Sequence, residues 1–445
     1  MRHPPPRMET GPHVTSSLHQ DFSQHLTQRF SSVRQQSVDY CSPLQPEDCN
    51  LQAMPETSPA KWHLAHTSWF FETFLLKPWL RGYQPFNDRF EYLFNSYYNG
   101  VGAQYPRARR GLLSRPSLKE VLHYRAHVDQ AMATLLSRPD HPARMEIVRR
   151  TELGLHHEYQ HQELFFTDIK YNLSCNPLAP QYRPHQTHQS EQGMASAAPH
   201  TIHWQRFDGG LIRIGSDADD GFVFDNETPV HQRFLAPFQL ASRPVCNAEV
   251  LAFIDAGGYQ TASLWLADGW ARVQQEQWQH PLYWQRSADG WQVFTLHGMS
   301  ALNPADTAVH LSAYEADAIA RWLGARLPDE AEWELAARSL PVQGHFVSSS
   351  GLLQPGPADD MPSSQLFGSV WEWTSSSYAP YPGYRPAEGA LGEYNGKFMC
   401  NQLVLRGGSC VSDRQQLRPG YRNFFYPPDR WQFSGVRLAR DGDSR

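Results

Sequence analysis

No segment of this 445-residue chain holds the roughly 18–20 consecutive apolar residues that a membrane-spanning helix requires. The opening residues, MRHPPPRMETGPHVTSS, lack the apolar core of a secretory signal, and Met8 is a candidate initiator. Positive charge is not in excess. Lys and Arg total 39 against 45 Asp and Glu, a net charge of −6, so no global basic field favours nucleic acid. Cysteine is scarce: six residues, Cys41, Cys49, Cys175, Cys246, Cys400 and Cys410, form neither a CxxC pair nor a dense framework. That excludes a thiolate zinc knuckle and a disulfide scaffold. No internal repeat is evident. The absences lead to the expectation of a cytoplasmic globular protein that engages neither nucleic acid nor membrane.

Aromatic residues are plentiful, with 14 Trp, 19 Tyr and 23 Phe, which provides ample apolar surface and excludes wholesale disorder. The length exceeds one ordinary core, so two domains are expected. Residues 1–20 read as a flexible tail. From 21 to 175 apolar residues recur at three- and four-residue steps in four stretches, predicting a four-helix bundle of amphipathic helices, with Ser58-Pro59 and Ser117 as start signals. Residues 176–200 are rich in Pro, Gln, His and Ser and read as a linker. From 201 to 445 short alternating runs are broken by Gly, Pro, Asn and Asp. One clear helix stands out at SAYEADAIARWLGA, which predicts an α+β domain of low regular content.

Histidine, at 21 residues, directs attention to metal chemistry. In Gly154-Leu155-His156-His157-Glu158-Tyr159-Gln160-His161, His157 and His161 are four apart, so on a helix both imidazoles leave the same face. A third ligand must come from another helix, and Trp62-His63-Leu64-Ala65-His66 offers His66 or His63. His157-Glu158-x-x-His161 also satisfies the HExxH pattern of zinc hydrolases, in which the glutamate activates water. No distal HxxGxxH continuation follows it.

The runs SPAKWHLAHTSWFFETFLL, FNSYYNGVG and GLHHEYQHQEL resemble the DinB-type iron domain of ergothioneine-pathway sulfoxide synthases (the EgtB-like family). The runs HLSAYEADAIARWLGARLPDEAEWELAAR, FGSVWEWTSS, VLRGGSC and YRNFFYPPDRWQFSGVRLAR are similar to the C-type-lectin-like fold of formylglycine-generating and sulfatase-modifying enzymes. The resemblance implies a DinB-like helical bundle followed by a sulfatase-modifying-factor domain. It further implies a mononuclear non-haem Fe(II) held by His66, His157 and His161. The family couples the thiol of cysteine to imidazole C2 of hercynine, using O2, and oxidises the sulfur to a sulfoxide.

Further roles follow from the resemblance residue by residue. Gln160 and Asn423 match positions that orient hercynine, whose trimethylammonium suits aromatic faces such as Phe424, Phe425 and Trp431. Arg107 and Arg110 match the arginines that hold the sulfur donor's carboxylate, with Arg109 pointing away. Tyr97 and Tyr98 are unranked candidates for the acid or hydrogen donor to the reacting oxygen. Cys400 and Cys410 read as buried and inert.

One departure bears on the donor. The γ-glutamylcysteine branch carries an acidic residue two places after the Asn423 position, and here that place is Phe425. The accompanying arginine is displaced as well, with Asp429 in its place and Arg430 next. Free L-cysteine is therefore the expected donor and Arg430 a candidate substrate contact. The rival readings are γ-glutamylcysteine, a selenium donor, ovothiol-type coupling to histidine, and a zinc hydrolase or thiol transferase built on HExxH.

Overall fold

The computed structural model describes residues 12–184, 199–347, 351–359, 363 and 365–442. The start of the expected tail and residues 185–198 of the expected linker lie outside the described residues.

Four long helices make the first domain: α1 (Pro12–Cys41), α2 (Ala60–Phe71), α3 (Leu118–Leu136) and α4 (Arg144–Ser174). Helix α1 starts within the stretch read as tail, because the four-residue spacing of Leu18, Phe22, Leu26 and Phe30 carries the helical period back toward Pro12. Helix α3 opens on a capping box. Ser117 Oγ accepts from the Glu120 amide at 3.3 Å while the Glu120 carboxylate takes the Ser117 amide at 2.7 Å. Helix α2 has no such cap: Pro59 stands at its N-cap, and Ser58 is engaged elsewhere.

Every residue of α2 is buried, so it is a central helix with no solvent face, not an amphipathic one. It packs against α3 and α4, and α1 packs along α4. A π-turn, Glu72–Leu76, extends it. There the buried Glu72 carboxylate accepts the hydroxyls of Tyr83 at 2.6 Å and Tyr124 at 2.8 Å. The approach of α2 and α4 depends on Gly154, since a Cβ at that position would lie 2.5 Å from the Phe71 ring and 3.0 Å from Phe70.

Two of the five small sheets among the described residues of the second domain take in its last strands. One orders Trp204–Phe207, Phe238–Pro244 and Arg437–Asp441, all antiparallel. The other orders Asn423–Phe425, Leu403–Arg406, Trp371–Ser377 and Ser434–Gly435, with Asn423 opposite Leu405 and Phe425 opposite Leu403. The expected helix is present as Ala313–Trp322. Helices Asn247–Asp255, Ala267–Glu276 and Glu330–Ala337 accompany it; they are short, and their apolar spacing is correspondingly hard to see in the sequence. Irregular backbone between them is tied down by buried ion pairs. Glu330 takes Arg406 and Arg422 at 3.0 and 2.9 Å, and Glu372 takes Arg437 at 2.8 Å and the Trp333 indole at 2.7 Å. Cys410 is buried as expected, but Cys400 is exposed, because it follows a short 3-10 turn at the surface.

Gly154→Ala is expected to lower the unfolding free energy by about 1–3 kcal/mol, the cost of overpacking against a ring that cannot retreat. Denaturant titration measures this, and an unchanged midpoint would show that the two helices separate freely.

Candidate metal centre

Helix α4 presents three different faces to three different surroundings. His157 and His161 face α2, Glu158 and Gln162 face α1 and α3, and His156, Tyr159, Gln160 and Glu163 meet the second domain.

On the first face the ligand nitrogens of His66, His157 and His161 all lie within 4.8 Å of one another. His66 and His157 are buried, at 0% and 1% exposure, and His161 is half-buried. His66 Nδ1 lies 2.6 Å from the Phe94 carbonyl, which can only accept, so the proton sits on Nδ1 and the lone pair on Nε2. That Nε2 faces His157 Nε2 at 3.2 Å. Burial pushes all three imidazoles below their ordinary range, His157 to about 3, and the histidines depress His66 and His161 further by mutual repulsion. They are therefore neutral at pH 7, as metal ligands must be. His157 Nδ1 is buried without a partner among the described residues. Three converging neutral imidazoles fit a divalent metal ion with open positions.

His63, the rival third ligand, is set back from the cluster. Its Nδ1 lies 2.9 Å from His161 Nδ1 and its Nε2 3.1 Å from Asp168 Oδ2.

Glu158 points the opposite way. Ser37 donates to it at 2.6 Å, Arg34 at 2.9 Å, and Arg125 completes the cage. Burial would raise its carboxyl, but the two guanidiniums and the hydroxyl hold it down at about 2. A carboxylate locked between two cations on the far side of the helix cannot serve as base at the histidine cluster.

The anion-binding candidates separate. Arg110 is 3% exposed, with Nη1 on Ser58 Oγ at 2.9 Å and Nη2 on Ser96 Oγ at 3.3 Å. Its guanidinium lies 3.4 Å from the Trp62 ring centre, and Trp62 in turn stacks on His66 at 4.6 Å and 12°. No carboxylate among the described residues pairs with Arg110. Arg107 is exposed and donates to the Glu56 carbonyl, and Arg109 is exposed.

The phenols bracket the cluster. Tyr97 and Tyr98 stack at 4.6 Å. Tyr98 is buried against Trp69, which itself stacks on His66 at 5.4 Å. Tyr97 leans on Tyr394, whose ring is 5.6 Å from His157. Tyr394 also donates to Gln160 Oε1, while Gln160 Nε2 donates to Tyr421 Oη at 2.8 Å. Tyr394 and Tyr421 belong to the site and carried no motif that singled them out in the sequence. Asn423 is half-buried and its Oδ1 takes the Phe424 amide at 2.9 Å. Phe424 stacks on Tyr378 at 4.0 Å, and Phe425 meets Trp431 edge-on at 6.1 Å. Arg430 stands apart from this group, donating at 3.0 Å to Glu315 and lying 4.1 Å from the Trp278 ring.

The second domain closes on α4 through Glu163, whose carboxylate accepts from the Trp371 indole and from Ser412 at 2.6 Å. Burial raises this carboxyl to about 7 against both hydrogen bonds.

Residues 29–165 match the DinB superfamily, and residues 191–442 match the sulfatase-modifying factor enzyme 1-like domain. Hercynine oxygenase from Mycolicibacterium thermoresistibile is 31% identical over 433 residues, 87% of this chain and 89% of that protein. The chain belongs to the hercynine oxygenase family. The Mycobacterium tuberculosis hercynine oxygenase is 36% identical over 51% of this chain and 58% of its own length. Ergothioneine biosynthesis protein 1 of Schizosaccharomyces pombe is 27% identical over 49% of this chain and 28% of its own. The two family domains are the bundle that carries the three histidines and the domain that closes over them.

Glu158→Gln is expected to reduce unfolding free energy by about 3–5 kcal/mol while one divalent metal per chain is still bound, because the substitution takes the paired carboxylate from the buried Arg125 and leaves Arg34 with Asp129 alone. The stabilisation by the native carboxylate is complete above its ordinary value of 4.5 and fades as pH falls toward about 2. Metal content with a denaturation series checks both. Undisturbed stability together with a lost water-activating step would restore the hydrolase reading.

Proposed function

We propose that this protein is a non-haem Fe(II)- and O2-dependent sulfoxide synthase that joins the thiol of L-cysteine to imidazole C2 of hercynine. The observation that carries the reading is the buried, carboxylate-free Arg110, stacked through Trp62 onto the metal ligand His66. A buried guanidinium without an anion of its own calls for one from a ligand. The family relatives named for hercynine and for ergothioneine biosynthesis support the chemistry.

His66, His157 and His161 would hold iron(II), which would supply redox chemistry with O2 and a position for the donor thiolate. Overall, the substrates give up one C–H and one S–H bond and gain C–S and S=O bonds. One oxygen atom goes to sulfur and the other leaves as water, so O2 is the sole oxidant. Arg110 holds the cysteine carboxylate beside the ligand cluster. Gln160, with its amide fixed by Tyr394 and Tyr421, orients hercynine, and Asn423 meets its amino-acid end. Phe424 and Phe425 leave opposite faces of their strand, and with Phe424 stacked on Tyr378 it is the Phe425 ring that offers a face to a trimethylammonium that cannot donate hydrogen bonds. Burial holds Tyr97 and Tyr98 protonated far above neutral pH, so either can deliver a proton or hydrogen atom where the oxygen reacts. Phe425 in place of an acidic residue leaves the γ-glutamyl amine unread, which favours free cysteine. Arg107, exposed three residues before Arg110, guides the carboxylate inward.

The deciding experiment loads the protein anaerobically with Fe(II), admits O2 with hercynine and either thiol, and identifies products by mass spectrometry. The expected product is hercynylcysteine sulfoxide, with cysteine preferred. Phe425→Asp should shift the ratio toward γ-glutamylcysteine, and an unmoved ratio would refute the donor assignment. Coupling to histidine at C5 instead would place the protein with ovothiol-type enzymes, and no coupling with any pair would overturn the reaction. Arg110→Gln should raise KM for cysteine tenfold or more, the loss of a charged hydrogen bond of about 1.5–3 kcal/mol, with little change for hercynine. Equal losses for both substrates would remove Arg110 from the donor site.

A further inference from the structure

We infer that His63 and Asp168 form a positioning relay that fixes the tautomer of His161 and makes it the strongest donor of the three ligands. Asp168 lies seven residues after His161 on α4, two turns along the same face, and is 3% exposed. His63 lies three residues before His66 on α2 and is 5% exposed. Asp168 Oδ2 sits 3.1 Å from His63 Nε2 and also accepts the Ser58 amide at 2.7 Å. His63 Nδ1 sits 2.9 Å from His161 Nδ1.

Only one arrangement of protons on neutral imidazoles satisfies all of these contacts. An ionised carboxylate can only accept, so His63 carries its proton on Nε2. Its Nδ1 is then an acceptor, and His161 must donate from Nδ1. The lone pair of His161 is thereby placed on Nε2, the nitrogen left for the cluster. A carboxylate at the end of such a chain draws the His161 proton outward and increases the basicity of its ring.

The other two ligands are supported differently. His66 leans on the neutral carbonyl of Phe94, and His157 Nδ1 is buried with no acceptor among the described residues. The three donors are thus graded by what stands behind them, with the anion behind His161. Ser58 anchors both ends of the arrangement: its amide holds Asp168, and its hydroxyl accepts from Arg110. The inference rests on the three-histidine metal site but not on the identity of the substrates.

The test uses the full-length apo protein and Co(II), with affinity measured by competition against a chromophoric chelator, the visible d–d spectrum recorded, and apo thermal unfolding followed in parallel. In Asp168→Asn the amide oxygen held by the Ser58 amide still accepts from His63 Nε2, so the chain keeps its direction but loses the anion behind it. Co(II) affinity is expected to fall about 10–100-fold, with a shifted spectrum. His63→Phe should fall as far. His63→Asn places an acceptor near the lost Nδ1 and should recover most of the loss. Wild-type affinity and spectrum in Asp168→Asn, even with a lowered unfolding temperature, would reduce the relay to packing and overturn it. Equal losses in His63→Phe and His63→Asn would do the same. A wild type that binds no Co(II), or a His161→Ala variant that binds it normally, would overturn the metal centre and the relay with it.

Discussion

The rotation of helix α4 about its axis is set by one buried carboxylate. Glu158 sits between Arg34 from α1 and Arg125 from α3, with Ser37 as a third donor. Any other rotation would bury the Glu158 anion without partners and take from Arg125 its carboxylate, leaving Arg34 with Asp129 at 2.6 Å, a cost of several kcal/mol. With Glu158 fixed toward α1 and α3, the 3.6-residue period leaves little choice for the rest. His157 and His161 must face α2, and Gln160 and Glu163 must face the second domain. The metal site and the domain junction are therefore consequences of one polar cage on the side of the helix that holds neither.

The second domain adds little regular structure but closes the site with side chains. Tyr394 and Tyr421 fix the Gln160 amide, Trp371 and Ser412 fix Glu163, and Phe222 stacks on His156 at 3.9 Å. Lys170 of α4 reaches His310 at 2.8 Å and lies near the rings of Tyr283 and Phe433. Contacts made along the length of a single helix hold the two domains in register at the place where a ligand would enter. Clefts of this kind between domains are where small-molecule sites concentrate.

Much of this was legible in the sequence, and for physical reasons. His157 and His161 show their common face through helical spacing alone, and the WHLAH run supplies a partner on a second helix. The choice between His66 and His63 was not legible from spacing, because it depends on which imidazole meets the Phe94 carbonyl and which meets Asp168. The HExxH pattern was legible and misleading, since Glu158 turns toward cations that lie 33 and 124 residues away in the chain. Ser58 reads as a helix cap, yet its hydroxyl and amide serve Arg110 and Asp168. Tyr394 and Tyr421 come from irregular segments, where no period marks which side chain points inward. Helix α2 was misread as amphipathic because His, Lys and Ser look solvent-facing until their buried partners are seen.

Gly154 has a consequence for anyone who would transplant this centre. Copying three histidines onto an idealised bundle would reproduce the ligand types but not the distance between the two backbones that carry them. The missing Cβ lets α4 settle onto Phe70 and Phe71, and this brings two rings on different helices to an Nε2–Nε2 separation of 3.2 Å. A designed copy would need a glycine one turn before its paired histidines, a large ring opposite, and a charged cage behind the helix to hold its rotation. The minimal unit of inheritance is therefore a contact between two helices, and the histidines are its visible part.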